Sequence, residues 1–414
     1  MTRKRWLRII PIAVIMYTIS FVDRTNVSLA LDRRISTLLE ELAMDERMKG
    51  AAAGIFFLGY LLLQVPGGYL AQRWSAKKLI SLCLLGWGAC AMSCGLAHSF
   101  RQFAVARFFL GFAESSVFPA TMVLLSHWFP PWERVRATAL WSVCQPLAVA
   151  VSSPLTGWCL DSFGWRTMLI LEGALPILLL PLWWRFMFDH PHEAKWLPAA
   201  ECAFIEKAVA EEVVSLESQK AVSLWRVLFR WDVLLMIVIW MIAASDGYGC
   251  MTFFTSGLRD RKFTGLEYGV LFAIPYLVTI PLMVLNSWHS DKTRERRGHV
   301  MLALGLSGAC LIFSVLARHD FWLSYAFLCF AIPGPVSALG PFFAIPAEIF
   351  PRVFLGPLIG AVGGIGNLGG FIGPYFIGWL ADIYHSVSVP FVLIGVGMLA
   401  AAALSLLLPK VKQF

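Results

Sequence analysis

Twelve stretches of this chain are apolar for about the length that crosses a bilayer, and that fact limits the fold more than any other. A span needs ~20 mostly apolar residues. Runs of that kind fall near residues 9–31, 50–71, 79–97, 102–127, 136–159, 166–188, 232–256, 267–287, 300–317, 321–346, 354–380 and 388–409. In hydrocarbon every backbone N–H and C=O must find a partner inside the chain, and segments this long do so as helices. The sequence therefore predicts an all-α membrane protein with twelve transmembrane helices. Only 14% of the residues are charged, against about 25% in a soluble domain. A net charge of +8 then speaks of membrane topology and not of nucleic acid.

Six runs precede a polar segment and six follow it. This predicts an N-terminal six-helix bundle over 1–188, a cytoplasmic linker with short surface helices over 189–230, and a C-terminal six-helix bundle over 231–414. Two six-span halves of like orientation are what a transporter built from parallel repeats looks like. With the N-terminus inside, the inner segments hold roughly twice as many lysines and arginines as the outer loops, so both termini are expected in the cytoplasm. The basic start "TRKRWLR" is not read as a cleavable signal, because the apolar run after it is too long and carries charges. The nine cysteines are scattered through apolar runs and read as small packing residues, neither disulfides nor metal ligands. Gly364, Gly366 and Gly369 fit G-x-G-x-x-G but lie at a membrane helix without the preceding strand that a dinucleotide site needs. No phosphate-binding loop and no metal-ligand spacing occur, so ATP-driven transport, a metal and a cofactor are not expected. An enzyme is not expected either, since no catalytic constellation stands out.

The chemistry lies in charges that a membrane span ought to avoid. "FVDRTNVSLA" (21–30) carries Asp23, Arg24 and Asn26 in the first span, where a charge at mid-bilayer costs ~2.5–3.5 kcal/mol on insertion scales. "RFFLGFAE" (107–114) carries Arg107 and Glu114 in the fourth. Seven residues turn a helix by about 700°, which puts these two on one face ~10.5 Å apart. Span 1 runs outward and span 4 inward, so Asp23 and Arg24 fall at a depth between Arg107 and Glu114. If the helices touch, two acids and two arginines meet with zero net charge. Such a cluster holds an anion poorly, but with both acids protonated it becomes +2 and favours a carboxylate. Burial and mutual repulsion promote protonation of acids, nearby arginines oppose it, and arginine itself stays charged. Asp23 and Glu114 are thus candidate proton-coupling groups, and Arg24 and Arg107 candidate anion-binding groups. The competing reading is that the four charges merely pin helix 1 to helix 4, although a buried ion cluster is a poor route to stability.

The inner loops "GGYLAQRWSAKK" (67–78) and "NSWHSDKTRERR" (286–297) resemble the loop signature G-x-x-x-D-[RK]-x-G-[RK]-[RK] of the major facilitator superfamily. The first keeps Arg73 but has Gln72 for the usual Asp and Ser75 for the second Gly, which predicts a weakened brace. The second keeps Asp291, with Ser287 in place of the first Gly. Glu348 of "PAEIFP" is read as part of an inner-face structural ion pair, to Arg352 or to the first inner loop. The stretches "RFFLGFAESSVFPA", "HWFPPWERVRATAL", "DSFGWRTMLILEG" and "DHPHEAKWL" extend the resemblance to the organic anion:cation symporters, whose bacterial members carry sugar acids, tartrate or phthalate with protons.

That resemblance implies the major facilitator fold and the same roles for Asp23, Arg24, Arg107 and Glu114. It also implies substrate contacts from Tyr60, Gln145 and Asn367. The sequence departs from the pattern at Phe21, where the family has a tyrosine, and at Asp246, an acid inside span 7 where none is expected. Asn26, Asp246 and Tyr248 are further candidates, whereas Glu172 reads as having a local structural partner. The expected function is proton-coupled uptake of a small organic carboxylate, a sugar acid by preference, by a monomer in a bacterial inner membrane. The partners are the anion, protons and the lipid bilayer, and no nucleic acid. Phe21 and the aromatic span 7 favour a less hydroxylated acid, while Gln145 and Asn367 favour a sugar acid. An exchanger or facilitator for an aromatic or dicarboxylic acid is the alternative within transport. A non-transporting membrane sensor is the alternative outside it, disfavoured because the linker of about 40 residues leaves no room for a large signalling domain.

Overall fold

A computed structural model of the chain describes residues 4–217, 224–254, 256, 263–350 and 352–409. Among them there are nineteen α-helices and no strand. The first crossing is α1 (Lys4–Ala30), followed by the short outer helix α2 (Leu38–Glu41). The second is α3 (Glu46–Leu62) with α4 (Gln64–Arg73), bent by 42°. The third is α5 (Ala76–Gly95), and the fourth is α6 (Phe100–Glu114) with α7 (Val117–Trp128). The fifth and sixth run through α8 (Pro131–Ser142) and α9 (Cys144–Phe186). α9 holds two helices joined at Gly164, whose φ of 76° suits a residue without a side chain. After it come a 3-10 turn at Pro191–Glu193, α10 (Ala199–Glu217) and α11 (Leu224–Leu228).

The seventh to ninth crossings are α12 (Trp231–Phe253), α13 (Gly265–Thr293) and α14 (Arg297–Leu316). The tenth is α15 (Phe321–Ala331) with α16 (Pro333–Ile349), the eleventh α17 (Arg352–Gly366) with α18 (Gly369–Tyr384), and the last α19 (Ser388–Ser405). Twelve crossings result, as the apolar runs predict. Several of them break midway. The tenth breaks at Ile332 because Pro333 and Pro335 bring no N–H to the helix ladder.

Inner and outer faces are named here by the loop-charge argument. At the outer face the first six crossings are locked to the last six by two helix pairs, α3 with α18 and α9 with α13. The approach is close: a side chain on Gly50 would sit 2.1 Å from the Pro374 carbonyl oxygen, and one on Gly269 2.3 Å from that of Ser153. Each contact is also capped by an acid. The Asp382 carboxylate, near the end of α18, accepts from the N–H groups of Glu46 (3.1 Å) and Arg47 (2.8 Å) where α3 begins. Asp161 of α9 accepts from Gly265 (2.9 Å) and Leu266 (3.0 Å) where α13 begins. The first amides of a helix lack intrahelical partners and carry its positive dipole end, so an acid is well placed there. Thus the fifth crossing caps the eighth and the eleventh caps the second, one device used twice.

Toward the inner face the halves part. Leu61 and Gln64 come no nearer than 3.9 Å to where a Gly364 side chain would stand, and Gly356, Gly360 and Gly363 of α17 face open space. The inner loops are tied locally. Arg296 pairs with Asp291 at 2.5 Å and with Glu348 at 2.9 Å. Glu348 is therefore paired in the second inner loop and not the first, while the side chain of Arg352, its other expected partner, lies outside the described residues. In the first loop the Arg73 guanidinium lies 4.5 Å from the Tyr69 ring. Where Gln72 replaces the usual acid, Asp189 of the "DHPHEAKWL" stretch accepts from the Ser75 hydroxyl and from the Lys77 N–H (2.9 Å).

Replacing Asp161 and Asp382 with alanine removes both caps. A helix cap is worth ~1 kcal/mol, about fivefold in a two-state population. Spin-label pairs across the outer ends of α3 and α18 should show a more populated wide separation in the double variant, measured by pulsed electron resonance. An unchanged distance distribution would mean that the caps do not hold the outer face shut.

Candidate functional site

The outer half of α1 turns a polar face to its neighbours, and Ser20, Asp23, Arg24 and Asn26 are all buried there. Arg24 meets Glu114 of α6 directly. Its Nε donates to Glu114 Oε1 at 3.0 Å, its Nη2 donates to the same oxygen, and the Ser20 hydroxyl also donates to it. Both side chains are shielded from lipid and water, with Glu114 0% exposed. Aromatic faces surround the guanidinium: Tyr60 at 4.7 Å, Phe21 at 4.9 Å and Phe56 at 5.2 Å from ring centre to carbon. Quadrupole attraction of this kind steadies a cation in a place with little water. Phe21, where the family pattern has a tyrosine, thus packs against the arginine through its ring.

Arg107 also lies against Phe56, 5.1 Å from its ring centre. It is 3% exposed and pairs with no carboxylate among the described residues. Its Nη1 donates to the backbone carbonyl of Asp23 at 3.2 Å, and its Nε has no partner. The four charges therefore do not close into one quartet. Only Arg24 and Glu114 touch, and the Asp23 carboxylate points the opposite way. It accepts from the Trp87 indole N–H of α5 and, weakly at 3.5 Å, from the Asn26 amide.

Asn26 donates at 2.6 Å to Glu172, which also accepts from the Thr156 hydroxyl at 2.6 Å. Asn26 thus bridges two buried carboxylates, and the local partners expected for Glu172 are these two neutral donors. Against Arg24 and Arg107 lies a cavity that leaves ≈ 10 Å³ for the centre of a water molecule, about one water. Phe56, Phe57, Tyr248 and Met251 line it as well. Side chains of α1, α3, α6 and α12 meet there, so the arginines sit where the first six crossings face the last six.

Of the residues singled out in the sequence, Asp23, Arg24, Asn26, Tyr60, Arg107, Glu114 and Tyr248 gather here. Gln145 is half-buried, and its side chain hydrogen-bonds to no other described residue. Asn367 lies at the break between α17 and α18, where its Oδ1 accepts from the Trp240 indole at 3.2 Å. Asp246 lies in a separate pocket with Cys250 and Ser307. Ser20, Phe56 and Trp87 are contacts the sequence reading missed. Ser20 was discoverable, being one turn before Arg24 on the same face. Phe56 and Trp87 look like ordinary packing residues until their neighbours are known.

Residues 13–353 match the sequence pattern of the Major Facilitator Superfamily, and the chain belongs to that family. It is a multi-pass membrane transporter of that fold and not an enzyme. It is 29% identical over 414 residues to a protein of Agrobacterium vitis named "Putative tartrate transporter", covering 99% of this chain and 91% of the relative. It is 26% identical over 430 residues to the "Probable galactarate/D-glucarate transporter" of Bacillus subtilis, covering 98% and 92%. Such names agree with the organic-anion branch that the motifs resemble. Among solved structures, a bacterial homologue of the human lysosomal transporter Spinster, inward-facing and occupied, superposes with a TM-score of 0.79 at 16% identity. The match covers 100% of this chain and 98% of that one, and it bears on the fold.

Asn26→Ala takes a donor from each of two buried acids. An unsatisfied buried group costs about 1–3 kcal/mol. The purified variant should melt measurably below the wild type in thermal denaturation, and Thr156→Val should melt lower too. Unchanged midpoints in both would show that the bridge contributes nothing to stability.

Proposed function

We propose that this transporter is a proton-coupled symporter that takes up a small organic carboxylate, a sugar acid by preference. The observation that carries the reading is Arg107: a buried cation without a carboxylate partner among the described residues, beside a second arginine whose partner Glu114 can be neutralised by a proton. An arginine this buried is expensive unless something anionic completes it. A carboxylate engages a guanidinium through two parallel hydrogen bonds, a geometry lysine cannot reproduce.

The cycle begins with the cavity open outward. A proton on Glu114 removes the charge that holds Arg24, and a substrate carboxylate takes its place between Arg24 and Arg107. Asp23, held by Trp87 and Asn26, takes up a further proton. The two bundles, 1–188 and 231–414, rock about the site while the 189–230 linker accommodates the movement. The outer caps close and the inner side opens. Release of anion and proton restores the Arg24–Glu114 pair, which then blocks anion binding until the next proton arrives. Tyr60, Gln145 and Asn367 supply hydroxyl and amide groups for a polyhydroxylated substrate, and the names of the tartrate and galactarate/glucarate relatives support that class. The protein works as a monomer in a bacterial cytoplasmic membrane with both termini inside.

The sign of the pH dependence follows directly. Anion binding requires a proton on Glu114, so affinity weakens as pH rises.

In right-side-out vesicles, labelled galactarate or tartrate should accumulate under an inward proton gradient and collapse when an uncoupler is added. Glu114→Gln should abolish accumulation and keep counterflow exchange. Accumulation by that variant would reject the assignment of Glu114. Arg107→Lys should raise KM for the same substrate by ~tenfold or more, since the paired hydrogen bonds are lost; an unchanged KM would remove Arg107 from the substrate site.

A further inference from the structure

Asp246 lies about two helical turns below the outer end of α12. Asp23 lies at the same depth below the end of α1, so each half of the chain places an acid at the same level of its first crossing. Each is met from the third crossing of its own half: Asp23 by Trp87 of α5, and Asp246 by Ser307 of α14. Asp246 differs in having no arginine next to it in the chain, and it forms no ion pair among the described residues. It is 1% exposed. The titratable groups around it are Cys250 and Tyr248 on its own helix and Tyr276 of α13, all uncharged when protonated. From α14 it meets the Ser307 hydroxyl.

The hydrogens at Ser307 can be counted. Pro335 has no N–H, so the carbonyl of Ala331, four residues earlier, is left without its helical donor. The Ser307 hydroxyl fills that gap at 2.6 Å. A hydroxyl has one proton to give. At 2.6 Å from a carbonyl that can only accept, that proton is committed to Ala331. The second contact of the same oxygen, 3.2 Å to Asp246 Oδ2, then needs its hydrogen from the carboxyl group. The other carboxyl oxygen accepts from the Cys250 thiol at 3.3 Å. The arrangement is complete only when Asp246 is the neutral acid.

We infer that Asp246 is a second proton-binding site, in the C-terminal half, distinct from the Arg24–Glu114 centre. It holds its proton while buried, as here. Buried, an anion there would meet no cation among the described residues, so the proton leaves only when the halves move and water reaches the α12–α14 contact to solvate the carboxylate. Tyr248, two residues along, lines the cavity beside Arg24 and Arg107, so the same helix joins both sites. This deepens the symport reading by adding a proton that Glu114 does not carry. The existence of the site itself does not rest on that reading.

The test uses the purified full-length protein in lipid nanodiscs. Infrared difference spectra between wild type and Asp246→Asn, whose amide has the shape of a neutral carboxyl group, should show a protonated-carboxyl C=O band lost in the variant. Ser307→Ala should keep that band and move it to higher frequency, since a hydrogen bond is removed. This second variant guards against a folding defect in the first. In proteoliposomes given galactarate, the variant should move one proton fewer per substrate than the wild type. Absence of the band from the wild-type difference spectrum overturns the site, and an unchanged proton count overturns its part in transport. Loss of the band with no proton-driven uptake by the wild type would keep the site and reject symport.

Discussion

The structure turns on one ion pair placed where water is scarce. Arg24 of the first crossing and Glu114 of the fourth are both buried, and neither is tolerable there without the other. Breaking a buried pair by removing one partner costs on the order of 3–5 kcal/mol. There are two ways to separate them without that loss: neutralise the acid with a proton, or give the arginine another anion. The proposed cycle does both at once. The aromatic rings around the guanidinium let the cation remain when its acid is neutral, since their attraction does not depend on a proton.

Such a centre moves a solute only if the protein can expose it alternately to each side. The outer face has the construction this requires. Glycines bring α3 against α18 and α9 against α13 at backbone distance, and Asp382 and Asp161 then cap the helices they meet. The caps are polar and sit at helix ends, so they can separate without disturbing the interior of either half. The inner ends have nothing comparable between α4 and α17, where small residues face open space. Closure on one side and separation on the other are what the rocking of two rigid halves would produce.

Much of this was legible in the residues. Twelve apolar runs gave the crossings, because hydrocarbon leaves a chain few alternatives to helices. Asp23, Arg24, Arg107 and Glu114 stood out through their insertion cost, and helix geometry put them at matching depths. What could not be read was direction. Depth is one coordinate, and it did not reveal that Asp23 turns toward Trp87 while its neighbour turns toward Glu114. The contact of Phe56 with both arginines depends on which face α3 presents to α1, and no periodicity encodes that. Likewise the Trp240 contact of Asn367 spans 127 residues and the Arg296 partner of Glu348 spans 52, separations that no local pattern encodes.

The central claim is that carboxylate binding and protonation are one event at Arg24 and Glu114. Titration calorimetry on purified protein with galactarate, repeated in buffers of different ionisation enthalpy, counts the protons taken up per anion bound. The account predicts net proton uptake on binding, reduced by one in Glu114→Gln. Binding that takes up no proton in the wild type would contradict it.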